Sequence, residues 1–219
     1  MFPPRLALLA FALTVPCVAH AQAWSYPSFQ PPRLTIREFN FGLADAGGPG
    51  TSLLFQWREQ AGPRHQFSFD VGIADPDHTN TDVVLFGGVQ AAWMLGAATP
   101  DVPLDFLLTA GLFAAVGSDT RIRLPVGLSV GHRFELEGNM AVTPYAHPRL
   151  SIDLCNRCGG ESNLGVSFDL GASLELSRIL SVRASGLFTG TRSFDDEGFG
   201  VSIAWTPPSL ARLNRRPGG

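Results

Sequence analysis

Strict alternation of apolar and small polar residues, sustained over long stretches, constrains this chain more than any other feature. Leu164, Val166, Phe168, Leu170, Ala172, Leu174 and Leu176 fall on one side of a line on which Gly165, Ser167, Asp169, Gly171, Ser173 and Glu175 fall on the other. A repeat of two is the repeat of a β-strand, because successive side chains point to opposite faces. Leu104, Phe106, Leu108, Ala110, Leu112, Ala114 and Val116 form a second such ladder, and Ile122, Leu124, Val126, Leu128 and Val130 a third. Shorter runs are Phe67-Phe69-Val71-Ile73, Leu180-Val182-Ala184 and Phe199-Val201-Ile203-Trp205. Helical periodicity is almost absent, so the chain reads as all-β.

The pattern predicts ten strands, near 33–44, 51–58, 65–74, 83–95, 103–116, 121–134, 140–153, 163–176, 179–189 and 198–206. Eight remain possible if the first and last hairpins pair differently. Several reach the roughly 9–11 residues that a tilted membrane strand needs, beyond the roughly 5–6 usual in soluble sheets. A soluble barrel turns its apolar face inward and coats the outside with charge. Here the apolar ladders carry no charge, and the opposite face is rich in Gly and Ser, which suits a narrow lumen better than a solvent coat. Only 16% of residues are charged, against about a quarter in soluble domains. The expected architecture is an antiparallel up-and-down transmembrane β-barrel. The net charge of −3 argues against a nucleic-acid partner.

The ends read differently. Arg5, the apolar run Leu6 to Val15 and the small-x-small site Ala19-His20-Ala21 make residues 1–21 an export signal. The run is too short to cross a bilayer, for which about 20 residues are needed. Residues 22–32, with Pro27, Pro31 and Pro32, read as an extended lead-in to a barrel domain at 33–206. Residues 207–219 follow Pro207-Pro208 as a mobile tail. Leu34 and Ile36 alternate out of phase with Phe39, Phe41 and Leu43, which predicts a bulge near Arg37-Glu38. Pro125, Pro144 and Pro148 fall inside strands, where they imply bulges or a locally open ladder.

If the N-terminus is periplasmic, even strands return to that side, and the outer connections come out slightly longer than the inner turns, as in bacterial barrels. Trp57, Trp93 and Trp205 then end even strands at the periplasmic interface, joined by Phe67, Phe106 and Phe134, as half of an aromatic girdle. The chain resembles the small bacterial outer-membrane β-barrels, porin-like or opacity-protein-like, over the whole length after the signal. The most specific part is Gly200-x-x-Ile203-x-Trp205, which looks like the C-terminal insertion signal read by the barrel assembly machinery. The resemblance implies outer-membrane lipid as the surroundings, with a small solute or a surface ligand as a further partner.

Candidate chemistry is sparse. Cys155-Asn156-Arg157-Cys158 lies in an outer loop. A structural disulfide is the default in an oxidising compartment; a redox motif or half of a metal site are the alternatives. Asp75 to Asp82 is an oxygen-rich loop that reads as a solvated turn or a weak cation site. The polar face carries Asp70, Asp105, Arg123, Arg133, Tyr145, His147, Arg149, Asp153, Asp169, Glu175 and Arg183. Charges inside a low-dielectric wall need partners, so these predict a paired lumen network. Hairpin register puts Arg149 opposite Asp169, Arg183 diagonal to Glu175 and Arg133 near Asp105. A selectivity lining for a small pore is the other reading.

No cofactor is expected, and no G-x-S-x-G, H-E-x-x-H or phosphate loop occurs. Outer-membrane proteases with ten strands pair carboxylates and a histidine at the rim, where only Asp75, Asp77 and His78 come near. Membrane lipases pair His with Ser, yet His147 and Ser151 are about 13 Å apart along one strand; Ser129 or Ser167 on adjacent strands lies nearer. The reading is therefore a non-enzymatic barrel, structural, surface-binding or narrow-pored. The alternatives are an exported soluble barrel with a hydrophobic ligand and a membrane hydrolase of lipid or peptide.

Overall fold

The computed structural model describes residues 26–45, 50–75, 83–117, 120–155, 162–191 and 194–208. The export signal, residues 22–25 of the lead-in, most of the Asp75 to Asp82 loop, Cys158 and the tail beyond residue 208 lie outside these.

The alternating segments become β1 (Arg37–Asp45), β2 (Thr51–Gln60), β3 (His65–Asp75), β4 (Val84–Gly96), β5 (Asp105–Val116), β6 (Thr120–Gly131), β8 (Ala141–Cys155), β9 (Asn163–Glu175), β10 (Leu180–Thr191) and β11 (Phe194–Trp205). A two-residue piece, β7 (Phe134–Glu135), adds to β8 inside the connection 132–140. Each long strand pairs antiparallel with its sequence neighbour, β1 pairs with β11, and β6 pairs with β8. The ten long strands thus close on themselves as an up-and-down antiparallel barrel.

The faces sort as the alternation requires. Phe41, Leu53, Val71, Leu112, Leu150, Leu170 and Ile203 point outward and are exposed, Phe41 at 59% and Leu170 at 56%. Asn40, Gln56, Asp70, Ser129, His147, Asp169 and Arg183 point inward and are buried. A soluble barrel around a hydrophobic ligand would need the long ladders turned inward. Phe168, at 38% exposed, points out instead, which removes that alternative.

Three expectations change. The first strand starts at Arg37, and its pairing with β2 runs without a shift from Arg37↔Glu59 to Asp45↔Thr51. No bulge is needed at Arg37-Glu38, because Leu34 and Ile36 precede the strand. The prolines open the ladder without changing register: Ala110↔Val126 and Phe113↔Arg123 keep one register across Pro125, as Gly127↔Arg149 and Val130↔Ala146 do across Pro148. A register shift does occur between Met94 and Gly96. Finally, the connections 61–64, 97–104, 132–140 and 176–179 at one end are no shorter than those at the other, because 132–140 is long and 192–193 very short. Loop length does not orient this barrel. The end where Ile36 meets β1 is called proximal below, and the opposite end distal.

The glycines of the inner face have a steric reason. Phe86 lies directly across from Gly72, and Phe113 across from Gly88. A Cβ on Gly72 would come within 2.3 Å of the Phe86 ring and 2.4 Å of the Leu53 carbonyl oxygen. Aromatic rings can lie flat on the lumen wall only because the opposite residue has no side chain. Gly72→Ala is expected to cost about 1–3 kcal/mol, the usual range for overpacking a closed core. Denaturant unfolding in lipid vesicles checks it, and an unchanged midpoint would refute the packing argument.

Candidate functional site

Residues 26–36 lie inside the barrel rather than outside it. They run up the lumen from the proximal end, and Phe29, Gln30 and Pro31 are fully buried there. Pro27, Pro31 and Pro32 explain why this stretch joins no ladder: each lacks the N–H that a strand must donate. Residues 26–35 contain no strand, and the chain first touches the sheet where the Gln60 N–H donates to the Ile36 carbonyl at 2.9 Å.

The barrel wall holds the segment mainly through side chains. Arg58 Nη2 and Gln56 Nε2 donate to the Ser28 carbonyl at 3.0 and 3.3 Å. Arg183 Nη1 donates to the Phe29 carbonyl at 3.3 Å, and Ser129 Oγ to the Gln30 carbonyl at 2.6 Å. Nearer the proximal mouth, Gln66 Nε2 donates to Thr35 Oγ1 at 2.9 Å, and Arg33 forms an ion pair with Glu175. At the deep end, the Tyr26 ring stacks on Phe86 with centroids 4.9 Å apart. Its hydroxyl donates to Asp70 Oδ2 at 3.1 Å. Phe29, Tyr26, Leu54, Phe86 and Phe113 make an apolar cluster inside the lumen on the β1–β5 side.

His147 sits at the centre with both ring nitrogens engaged. Ser28 Oγ donates to Asp169 Oδ2 at 2.6 Å. With its one proton committed to Asp169, that hydroxyl accepts from His147 Nδ1 at 2.8 Å. Nε2 is then the acceptor, and Thr109 Oγ1 donates to it at 2.9 Å. The chain Thr109–His147–Ser28–Asp169 is satisfied with a neutral imidazole. A hydroxyl against a histidine, with a carboxylate behind, is the composition of a nucleophile relay. Here, however, Ser28 stands between His147 and Asp169, which are 3.6 Å apart. All four groups are buried, and a small cavity beside Ser28 is lined by Tyr26, Gln56, Asp70, Arg123 and Arg149.

Around this centre the charges pair. Arg149 bonds Asp169 at 2.8 Å across the β8–β9 hairpin, but diagonally, because the register sets Ser167 opposite Arg149 and His147 opposite Asp169. Arg123 bonds Asp153 twice, at 2.8 and 2.9 Å, across β6–β8. Two expected pairs are replaced. Arg183 is diagonal to Glu175 in register, but its guanidinium turns to Glu38, at 2.8 and 2.6 Å, and Glu38 also takes Arg58 Nη1 at 3.1 Å. Arg133 bonds Glu175 and Glu135 rather than Asp105; the Glu175 bond is the first cause of its raised pKa. Asp105 instead accepts the Ala98 N–H at 2.9 Å. Tyr145 is buried against Gly171, whose Cβ would fall 2.7 Å from the phenol ring. The reading from sequence missed Glu38 and Arg58 although both hold inward positions of their strands; the supposed bulge had hidden the phase of Glu38.

Outside the lumen, Trp57, Phe67, Phe134 and Trp205 are exposed at proximal strand ends. Trp93 and Phe106 are half-buried on either side of the register shift. Phe39 stacks on Trp205 at 5.7 Å, and Trp57 Nε1 donates to Glu59 at 3.2 Å. Ile203 and Trp205 face outward beside Phe41 and Phe39, whereas Gly200 faces inward under Phe29. At the distal end of β8, Cys155 is disulfide-bonded.

Among solved structures, the β domain of the Bordetella autotransporter Brka aligns with a TM-score of 0.51 at 11% identity, over 78% of this chain and 98% of that one. The fold is that of an outer-membrane β-barrel. LpxR from Salmonella typhimurium aligns with a TM-score of 0.46 at 9% identity, over 78% of this chain and 100% of that one. The KdgM porin aligns at 0.39 and 8% identity, over 78% and 98%. No protein-family model and no curated protein matches the chain.

Proposed function

We propose that this chain is a non-enzymatic β-barrel of the bacterial outer membrane whose lumen is closed at rest by its own N-terminal segment. One observation carries the reading. The exposed outer surface is an apolar belt, while paired charges fill the interior, the reverse of a soluble barrel and the arrangement that lipid requires. The partners that follow are outer-membrane lipid and, during insertion through Gly200, Ile203 and Trp205, the barrel assembly machinery. Export by residues 1–21 precedes both. The proximal end faces the periplasm, with Trp57, Phe67, Trp93, Phe106, Phe134 and Trp205 at the lipid interface. The Thr109–His147–Ser28–Asp169 chain is structural in this reading. It ties the segment to the wall and presents no free nucleophile.

Two measurements on the refolded chain test this. Unboiled protein in detergent is expected to run as a compact band that shifts on heating, and the intact chain in a planar bilayer is expected to give almost no current. A protein recovered in the soluble periplasmic fraction without detergent would refute the membrane assignment. A steady large conductance would refute the closed lumen.

A further inference from the structure

We infer that the lumen is a recognition site for a proline-rich peptide, and that residues 26–34 are its resident ligand, exchangeable for the same peptide supplied from outside. The inference rests on the closed-barrel reading above and adds what the closing element is. Three features of the segment and its surroundings support it.

The first is complementarity of donors and acceptors. With prolines at 27, 31 and 32 the segment is short of N–H groups and rich in carbonyls. The wall supplies the matching donors: Arg58 and Gln56 to Ser28, Arg183 to Phe29, and Ser129 to Gln30. The N–H and hydroxyl of Ser28 find Asp169, at 3.2 and 2.6 Å. Prolines already restrict the free chain, so less entropy is lost when such a peptide is held.

The second is preorganisation. The ion pairs that shape the wall close without the segment: Glu38 with Arg183 and Arg58, Asp169 with Arg149, and Asp153 with Arg123. Arg33 of the segment reaches Glu175, but Arg133 holds that carboxylate as well. Asp70 takes the Tyr26 hydroxyl from the segment, yet it keeps Gln56 when Tyr26 leaves, so the wall largely holds its shape and binding costs little reorganisation.

The third is the seat of Phe29. This aromatic residue is held at φ 48°, in the left-handed region that bulky side chains avoid. Its ring lies in a slot between Gly42 and Gly200, where an added Cβ would come within 3.1 and 2.7 Å of it. A slot of ring shape that holds a side chain in an unfavourable backbone state is a feature of ligand capture. In a segment that served only as filler, the backbone would relax.

The test starts from the full chain with a protease site inserted between Leu34 and Thr35, folded in lipid vesicles and then cut. The freed segment is expected to leave on dilution while the barrel keeps its heat-modifiable mobility. A synthetic peptide of residues 26–34 is then expected to rebind saturably, and a scrambled peptide to fail. A peptide carrying Ser28→Ala leaves the barrel untouched and is expected to bind about tenfold or more weakly, because it lacks the hydroxyl bonded to a charged partner. A cut segment that never exchanges, a barrel that unfolds when it leaves, or equal binding of the scrambled peptide overturns the inference and leaves the membrane reading standing. Absence of heat-modifiable mobility before the cut overturns both.

Discussion

Glu38→Gln is expected to destabilise the barrel by about 3–5 kcal/mol, the range found when one member of a buried ion pair is removed. Glu38 is bonded to two guanidiniums, those of Arg183 and Arg58, and all three side chains are at most 4% exposed. The carboxylate is what allows two cations to share one buried wall. Its loss leaves them facing each other, with neutral oxygens such as those of Phe29, Ser28, Gln56 and Ser173 to solvate them. Removing one cation as well relieves part of the damage, so Glu38→Gln with Arg183→Met is expected to be less unstable than Glu38→Gln alone. Arg37–Glu59 at the proximal rim is the internal control. Its side chains are 43% and 34% exposed, and Glu59→Gln is expected to cost about 0–1 kcal/mol. Denaturant titration of the three variants and the parent in vesicles, followed by the heat-modifiable band, measures the differences. If Glu38→Gln unfolds within 1 kcal/mol of the parent, the buried triad is not what holds the wall.

That triad also marks the boundary of what the sequence discloses. The ladder from Leu164 to Leu176 is legible because two faces in different solvents impose a period of two. β9 accordingly spans Asn163–Glu175. Arg149 and Asp169 are legible as neighbours because they belong to strands joined by one connection, although the actual register differs by two residues and sets His147, not Arg149, opposite Asp169. Arg183 and Glu38 are 145 residues apart and meet only because the barrel closes and both side chains reach into the lumen. Alternation says that each points inward, but not which inward neighbour it finds. The contents of the lumen were illegible for a different reason. Prolines at 27, 31 and 32 show that the segment cannot be a strand, and an unpaired chain outside a barrel has the same composition as one inside it. Ser28 meets His147 across 119 residues, and no local pattern in either stretch announces it.

The same alternation supplies the sharpest test of what surrounds the barrel. Leu170→Arg is expected to destabilise the protein in a bilayer by about 2–4 kcal/mol, and Leu164→Arg by about 0–1 kcal/mol. Both side chains lie on the outer face of β9 and are exposed, at 56% and 68%, so exposure alone would make both substitutions harmless. In water a new surface arginine typically changes stability by less than about 0.5 kcal/mol. Depth is what separates the two. Six residues along the strand are about 20 Å, enough to move a charge from the middle of the belt to its distal rim. The neighbour of Leu170 shows why the cost is one of solvation rather than of charge in itself. Asp169 is one residue away, fully buried and charged, yet stable, because Arg149 and the Ser28 hydroxyl bond it from the lumen side. An arginine at 170 turns the other way, toward hydrocarbon, where no partner is available. Unfolding of the two variants in vesicles, compared with the parent, gives the gradient directly. Equal and small losses at 170 and 164 would mean that water, not lipid, covers this face.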